Sequence, residues 1–193
     1  MDEQLEIAQQ LLLYPSGLTT ADLTKILTII LANKVADADL YFQSCYHESW
    51  VLEDGIIKDG SYSLDKGVGV RAIIEDKAGF AYSNEINFPV LEQAAKAART
   101  IALQGGRGQK IISKQVGATN VLYPQNNPLD SLTTEAKISL LRQLDSTARR
   151  QDTKVTQVIC SLLGTYEVIL IVTSAGTYTA DIRPLVRLNV NVV

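Results

Sequence analysis

The sequence predicts an α+β fold, in which helices pack on a mainly antiparallel sheet built from two similar helix-plus-antiparallel-meander units. Apolar residues recur every three to four positions in four segments, which is the helical period, and alternate with polar residues in the segments between them. The connections between the alternating segments are only a few residues long. Short connections of this kind join antiparallel strands, whereas parallel strands need a long crossover.

Four helices account for the helical periods. The first covers residues 3–13 and ends at the Tyr-Pro-Ser-Gly of residues 14–17. Thr19 and Asp22 form a capping-box pattern at the start of the second, which satisfies free N–H groups there. Pro89 opens the third helix. The fourth runs from about Thr133 to Arg150, and its inward-facing residues are predicted to be Ile138, Leu141, Leu144 and Ala148.

Eight strands are predicted between and after these helices. Five are short: one around residues 40–43, then Glu48–Glu53, Ile56–Tyr62, Gly67–Ile74 and Ala78–Ser83, with turns at Glu53-Asp54-Gly55 and Glu75-Asp76-Lys77. Three longer ones follow the fourth helix: Val155–Leu163, Tyr166–Thr173 and Thr177–Val193. Gly164 is interpreted as a turn between the first two of these. The middle strand is apolar on both faces, which predicts a central position.

The order of elements predicts a pseudo-repeat with units at 19–104 and 131–193, joined by a Gly-, Asn- and Pro-rich linker at about 105–130. Both units place a Gly-Ser/Thr-Tyr segment before a long strand that contains an arginine. We take residues 1–193 as one N-terminal region. Because the second unit stops at Val193 within a strand pattern, we expect a further domain beyond it.

Composition limits the class of protein. The chain has 46% hydrophobic and 20% charged residues, a net charge of −3 and a pI near 5.2, which are ordinary values for a soluble globular protein and speak against a nucleic-acid-binding face. The start of the chain does not resemble a secretory signal, and no apolar run is long enough to span a bilayer. We therefore expect a cytoplasmic location, with no membrane and no nucleic-acid partner.

His47-Glu48 is the one pair that suggests a metallopeptidase motif. A zincin helix needs a second histidine one helical turn later, and those positions hold Val51 and Leu52. The segment is also predicted to be a strand, and the chain contains a single histidine. We expect a structural histidine here, no catalytic residue and no metal ligand in this chain.

The remaining candidate motifs are also weak. Cys45 and His47 share one strand face and could bind a metal together with Cys160, but two widely spaced cysteines predict neither a disulfide framework nor a zinc site. The Gly-Gly-Arg-Gly at residues 105–108 lacks the Gly-Lys-Ser/Thr ending of a phosphate-binding loop and indicates a linker. The aromatic residues Trp50, Tyr62, Tyr82 and Tyr166 are predicted to be core residues.

Gly67, Gly69 and Arg71 lie on one face of a predicted strand and form the candidate interface or substrate wall. The missing side chains would let another backbone approach, and the arginine could bind a carboxylate. The alternative is close internal packing together with an internal ion pair between Arg71 and Asp54, Asp59 or Asp65. The sequence leaves both open.

Three segments resemble the TldD/PmbA family of bacterial zinc metallopeptidases, formerly called modulators of DNA gyrase. They are ADLYFQSCYHESWVLEDGIIKDGSYSLDKGVGVRAIIEDKAGFAY at residues 38–82, LEQAAKAART at 91–100 and RPLVRL at 183–188. The resemblance covers nearly the whole chain and concerns the N-terminal domain of that family.

The resemblance implies a two-domain peptidase that cleaves or matures small or unfolded peptides. Its zinc and its His-Glu-x-x-x-His helix belong to a C-terminal domain that is absent here, so no catalytic residue can be transferred. This region would form part of the substrate chamber and of the interface with a TldE/PmbA-like subunit or a second TldD-like copy. The alternatives are a free-standing, non-enzymatic module that binds a protein or peptide, and a nucleic-acid-linked regulator, which the acidic composition disfavours.

Overall fold

The computed structural model describes residues 3–32, 35–104 and 122–193. In chain order the elements are α1 (Glu3–Leu12), a 3-10 helix (Tyr14–Ser16), α2 (Thr20–Leu31), β1 (Asp37–Glu53), β2 (Ile56–Ile74), β3 (Lys77–Ser83), α3 (Phe88–Gln104), a second 3-10 helix (Pro128–Ser131), α4 (Thr134–Arg149), β4 (Val158–Thr173) and β5 (Tyr178–Val192). The strands form one antiparallel sheet in the order β3-β2-β1-β4-β5. The predicted α+β class is confirmed.

The strands are longer and fewer than predicted. Each of β1 and β2 is one continuous strand where the sequence indicated two short ones, because residues 44–47 and 63–66 stay in the sheet. Gly164 is not a turn and lies inside β4. A Cβ at this position would lie 2.2 Å from Cδ2 of Leu129, so the glycine makes room for a packed side chain. β4 is an internal strand between β1 and β5, and Val168, Ile169 and Leu170 are all buried as predicted, but the central strand of the sheet is β1.

The helix starts agree closely with the sequence. The capping box of α2 is present: the Thr19 hydroxyl accepts from the Asp22 N–H, and the Asp22 carboxylate accepts from the Thr19 N–H. Thr133 caps α4 in the same way by accepting from the Ala136 N–H. In both places a threonine hydroxyl satisfies a helix N–H group that has no intrahelical partner.

The chain divides into two compact units. The first comprises Met1–Ser44, Asp65–Leu122 and Val168–Ile182. Within it, α3 lies against β3 so closely that a Cβ on Gly79 would be 1.9 Å from the carbonyl oxygen of Ala98. The Arg99 guanidinium donates to the carbonyl of Ile29 at 2.6 Å and links α3 to α2.

The second unit comprises Cys45–Leu64, Tyr123–Glu167 and Arg183–Val193. Its core forms where α4 packs on the sheet and consists of Leu52, Leu141, Val158 and Cys160, all fully buried. The buried stripe of α4 is Lys137, Leu141 and Asp145, so two polar residues face inward in addition to Leu141, where the sequence indicated apolar ones.

Two predictions are not tested by this architecture. Of the predicted linker at 105–130, residues 105–121 lie outside the described residues, and Asn127 caps the short helix that follows. The pseudo-repeat of units 19–104 and 131–193 stays a prediction. In the described part of the chain, no helix is both long and apolar enough to cross a membrane.

Candidate functional site

The residues around His47 do not gather into a metal site. His47 lies in β1, where its Nδ1 is 3.2 Å from the hydroxyl of Thr165. Cys160 is buried in the core beneath α4, and desolvation, with a smaller contribution from Asp145, raises the pKa of its thiol and disfavours the thiolate that binds metals. Across residues 3–32, 35–104 and 122–193, no three His, Cys, Asp or Glu side chains form a group that could hold a metal ion.

Glu48 belongs to a buried polar network instead. Lys137 of α4 donates to both carboxylate oxygens of Glu48, at 2.9 and 2.7 Å, and to the carbonyl of Leu129 at 2.6 Å. The indole N–H of Trp50 donates to Glu48 at 2.5 Å. The side chains of the ion pair are only 9% and 12% exposed. The network links α4 to β1. The sequence did not reveal it, because a single lysine in an amphipathic helix gives no indication that it is buried.

The three predicted interface residues lie on β2, and each of them has a close contact with a residue on a neighbouring strand. A Cβ at Gly67 would be 2.7 Å from the carbonyl oxygen of Ser83, and one at Gly69 would be 2.9 Å from the ring of Phe80. Both glycines therefore let β3 residues approach β2. They do not leave an empty groove.

Arg71 forms an internal ion pair, as expected from the alternative interpretation of close internal packing. Its Nε and Nη2 atoms each lie 2.6 Å from Oδ2 of Asp39, a partner that the sequence did not single out. Burial raises the pKa of the Asp39 carboxyl, and the hydrogen bonds from Arg71 oppose that shift. The arginine side chain keeps 42% of its surface exposed, so it also faces solvent.

Aromatic residues next to this ion pair are exposed. Tyr82 is 76% exposed and Phe80, which pairs with Arg71 across the strands, is 56% exposed. The prediction that Tyr82 and Tyr62 are core residues is wrong, because both lie largely in solvent, while Tyr166 is buried as predicted. Tyr62 in β2 and Tyr82 in β3 each lie between small residues, a pattern that core strands also show. A single sequence does not reveal which face of the strand is covered.

The second exposed apolar surface lies on β5. We call it the β5 row: Val186, Leu188, Val190 and Val192, which alternate with polar residues as the sequence predicted. Asn189, on the opposite face, donates to the hydroxyl of Ser161. The alternation was visible in the sequence, but the exposure of its apolar face was not.

Comparisons with known proteins place this arrangement in a family. A family model described as PmbA/TldA metallopeptidase domain 1 matches residues 38–102, and one described as PmbA/TldA metallopeptidase central domain matches residues 127–193. The Metalloprotease TldD homolog of Haemophilus influenzae is 49% identical over 94% of this chain, and that of Buchnera aphidicola from Acyrthosiphon pisum is 37% identical over 97%. The aligned segment is only 38% and 39% of those two proteins.

Solved structures share the fold at low sequence identity. A Bacteroides thetaiotaomicron protein described as a candidate modulator of DNA gyrase superposes with a TM-score of 0.73 at 14% identity, over 89% of this chain and 40% of its own. TldE from Thermococcus kodakarensis superposes with a TM-score of 0.65 at 12% identity, over 89% of this chain and 42% of its own. Two consecutive family models and curated relatives that align over nearly all of its residues show that this chain belongs to the PmbA/TldD metallopeptidase family.

Proposed function

We propose that this chain is the non-catalytic N-terminal region of a TldD-like zinc metalloprotease that cleaves or matures small or unfolded peptides in the cytoplasm. The observation that carries the proposal is the alignment with the Haemophilus relative: it covers 94% of this chain but 38% of a protein named as a metalloprotease. The two matching models are a first and a central domain. Both facts favour a catalytic domain elsewhere in the longer polypeptide.

The residues of this chain do not fit a catalytic zinc ion. Such a site takes three protein ligands, commonly histidines with a cysteine or carboxylate, and leaves one position open for water. His47 is the sole histidine, and no ligand group surrounds it in the described ranges. We therefore assign the metal to the remainder of the longer protein, where it would polarise the scissile carbonyl and lower the pKa of a bound water.

In this proposal the role of the N-terminal region is to line the substrate chamber and to contact a second subunit. The surface formed by Arg71, Phe80 and Tyr82 is the candidate for both, together with the close β2–β3 packing at Gly67 and Gly69. A guanidinium next to aromatic rings suits an extended peptide, because it can bind a carboxylate while the rings cover apolar side chains. The fold shared with TldE supports a TldE/PmbA-like subunit or a second TldD-like copy as the partner.

Peptide hydrolysis tests the enzymatic proposal. Short unstructured peptides are incubated with this chain and with the longer polypeptide that contains it, each loaded with zinc, and the products are measured by mass spectrometry. We expect hydrolysis by the longer polypeptide alone, and loss of that hydrolysis when a chelator removes the zinc. Zinc-dependent hydrolysis by residues 1–193 would overturn the proposal, as would an inactive longer polypeptide in the presence of its partner subunit.

The Arg71→Gln variant of the longer polypeptide tests the substrate wall. We expect a higher KM for peptides with little change in kcat, because the residue would bind substrate away from the reacting atoms. Arg142→Gln on the exposed surface of α4 is the matched control. An unchanged KM would remove Arg71 from the substrate-binding surface.

A free-standing interaction module is the second candidate function. The observation that favours it is the exposed pair Phe80 and Tyr82, since clustered surface aromatics are typical of protein-binding sites. An immunoblot of source cells separates the two candidates. A single band near 21.1 kDa, the mass of this chain, would favour the module, and a much larger band favours the peptidase.

A further inference from the structure

The β5 row lies on the side of the sheet that α4 covers, but its side chains stay 39–55% exposed. Backbone hydrogen bonds pair Gln157 with Val193 and Thr173 with Thr177, and both pairs give the same antiparallel register. Counting along the strands places Val190 beside Cys160. Cys160 is fully buried beneath α4, whereas Val190 is 39% exposed.

The row is an unprotected apolar surface within the second unit. Its four side chains are all aliphatic, with exposed fractions between 39% and 55%, and together they expose a few hundred Å² of the kind of surface that marks an interaction site. β5 is also the outermost strand of the sheet in the described residues. Such strands normally carry charges or prolines that prevent pairing with another strand. On the apolar face of β5, Pro184 precedes the row, and the four row positions themselves hold neither a charge nor a proline.

We propose that the β5 row is the docking surface for the third domain of the same polypeptide. This proposal rests on the proposed function. The second matching model is named a central domain, and a central domain implies a further domain after it in the family. The curated relatives are aligned over only 38% and 39% of their own length, which leaves ample chain to cover the row. An uncharged aliphatic row fits an apolar partner surface that stays in place, since obligate contacts are the apolar ones.

The docking surface covers one face of β5 and leaves the other open. Asn189 and Asn191 lie on the opposite face, where the polar side chains alternate with the row. The proposal therefore predicts different accessibilities for two adjacent residues, Val190 and Asn191, which are matched in strand position.

Thiol labelling measures this difference. Val190→Cys and Asn191→Cys variants are prepared in the 193-residue chain and in the longer polypeptide, and peptide mapping separates the introduced thiols from Cys45 and Cys160. In the 193-residue chain both thiols should react at similar rates. In the longer polypeptide, the thiol at position 190 should react at least about tenfold more slowly, because labelling then requires a local opening of the interface, while the thiol at position 191 keeps its rate.

Three outcomes would overturn the assignment. Equal rates at position 190 in both polypeptides would show that nothing covers the row, and protection of positions 190 and 191 together would show that the whole strand is enclosed. Protection that is lost on dilution, or that appears in the 193-residue chain at high concentration, would assign the row to a second subunit. Peptide hydrolysis by the same longer polypeptide is measured separately, so failure of the docking surface and failure of the enzymatic proposal are distinguished.

Discussion

Replacing Glu48 by Gln should destabilise the protein by about 3 kcal/mol, the lower end of the range for removing one partner of a buried ion pair. The substitution preserves size and keeps an oxygen that can accept from the Trp50 indole N–H, so it removes little except the charge. The ammonium of Lys137, whose side chain is 9% exposed, would then have one carbonyl and one amide oxygen as partners. A buried ammonium without a counter-charge loses hydration that those neutral oxygens do not replace.

Urea unfolding, followed by far-UV circular dichroism, measures the change in free energy. Trp50, the sole tryptophan, donates to Glu48 and gives an independent fluorescence signal from the same network. In a thermal scan the same loss corresponds to a fall in Tm of roughly 6–12 °C for a protein of this size. Glu92→Gln, which removes an exposed pair with Lys96, is the matched control and should cost less than about 0.5 kcal/mol.

A double-mutant cycle tests the explanation. Lys137→Met alone leaves the Glu48 carboxylate without its cation, and combining it with Glu48→Gln removes both charges. The double variant should therefore be more stable than the sum of the single effects predicts, by about 1–3 kcal/mol. A loss below about 1 kcal/mol for Glu48→Gln, or strictly additive effects, would refute the reasoning that the pair acts as a buried unit.

The other predictions concern a helix cap and two glycines. The pKa of Asp22 is lowered from 3.8 to about 2, chiefly by the hydrogen bond from Thr19, so its contribution to stability is present above pH 4 and is lost as the pH falls toward 2. An NMR titration should show this low pKa, and Thr19→Ala should raise it toward 3.8; an unchanged value would contradict the cap. Gly79→Ala should cost about 3 kcal/mol in urea unfolding, because the new methyl group would meet the α3 backbone. Gly164→Ala should cost less than about 1 kcal/mol, since the tip of the Leu129 side chain can move aside, and equal costs at both glycines would contradict this comparison.

Helices were predicted well because their signals are local. The hydroxyl of Thr19 and the carboxylate of Asp22 act on N–H groups within one turn, so the four residues 19–22 contain the whole interaction. α4 shows the limit of this reasoning. Its start at Thr133 follows from the same local chemistry, but its buried stripe includes Lys137, whose partner Glu48 lies 89 residues away in the chain. Asp145, the other buried polar residue, pairs with Arg149 of the same helix.

Strand boundaries were predicted less well, because glycine has two structural roles here: it occupies tight turns, and it makes room for a packed neighbour inside a strand. Gly55 has a φ of 77° and occupies the hairpin turn that the sequence indicated. Gly164 and Gly79 lie inside strands, where the missing Cβ admits Leu129 in one case and the α3 backbone in the other. Both uses look the same in a sequence, because the contact that requires a packing glycine is distant in the chain: Ala98 lies 19 residues from Gly79, and Leu129 lies 35 residues from Gly164.

The candidate site was only half predictable for a related reason. Gly67, Gly69 and Arg71 were identified by residue type, yet the structure explains them through Ser83, Phe80 and Asp39, which lie on neighbouring strands. Two exposed apolar surfaces carry the proposals: Phe80 with Tyr82 on β3, and the aliphatic row on β5.

Alternation in β5 predicted one apolar face, and the usual inference from such a face is a core within the same chain. Here Cys160 on β4 is fully buried beneath α4, whereas Val190 on the adjacent strand is 39% exposed. An aliphatic face left exposed in this way is what leads us to propose a covering surface outside the described residues. This chain aligns with 38% of a longer metalloprotease, so we propose the rest of the same polypeptide as the covering surface. The exposed face of one strand then supports the same arrangement as the proposed function, a non-catalytic region packed against a catalytic domain.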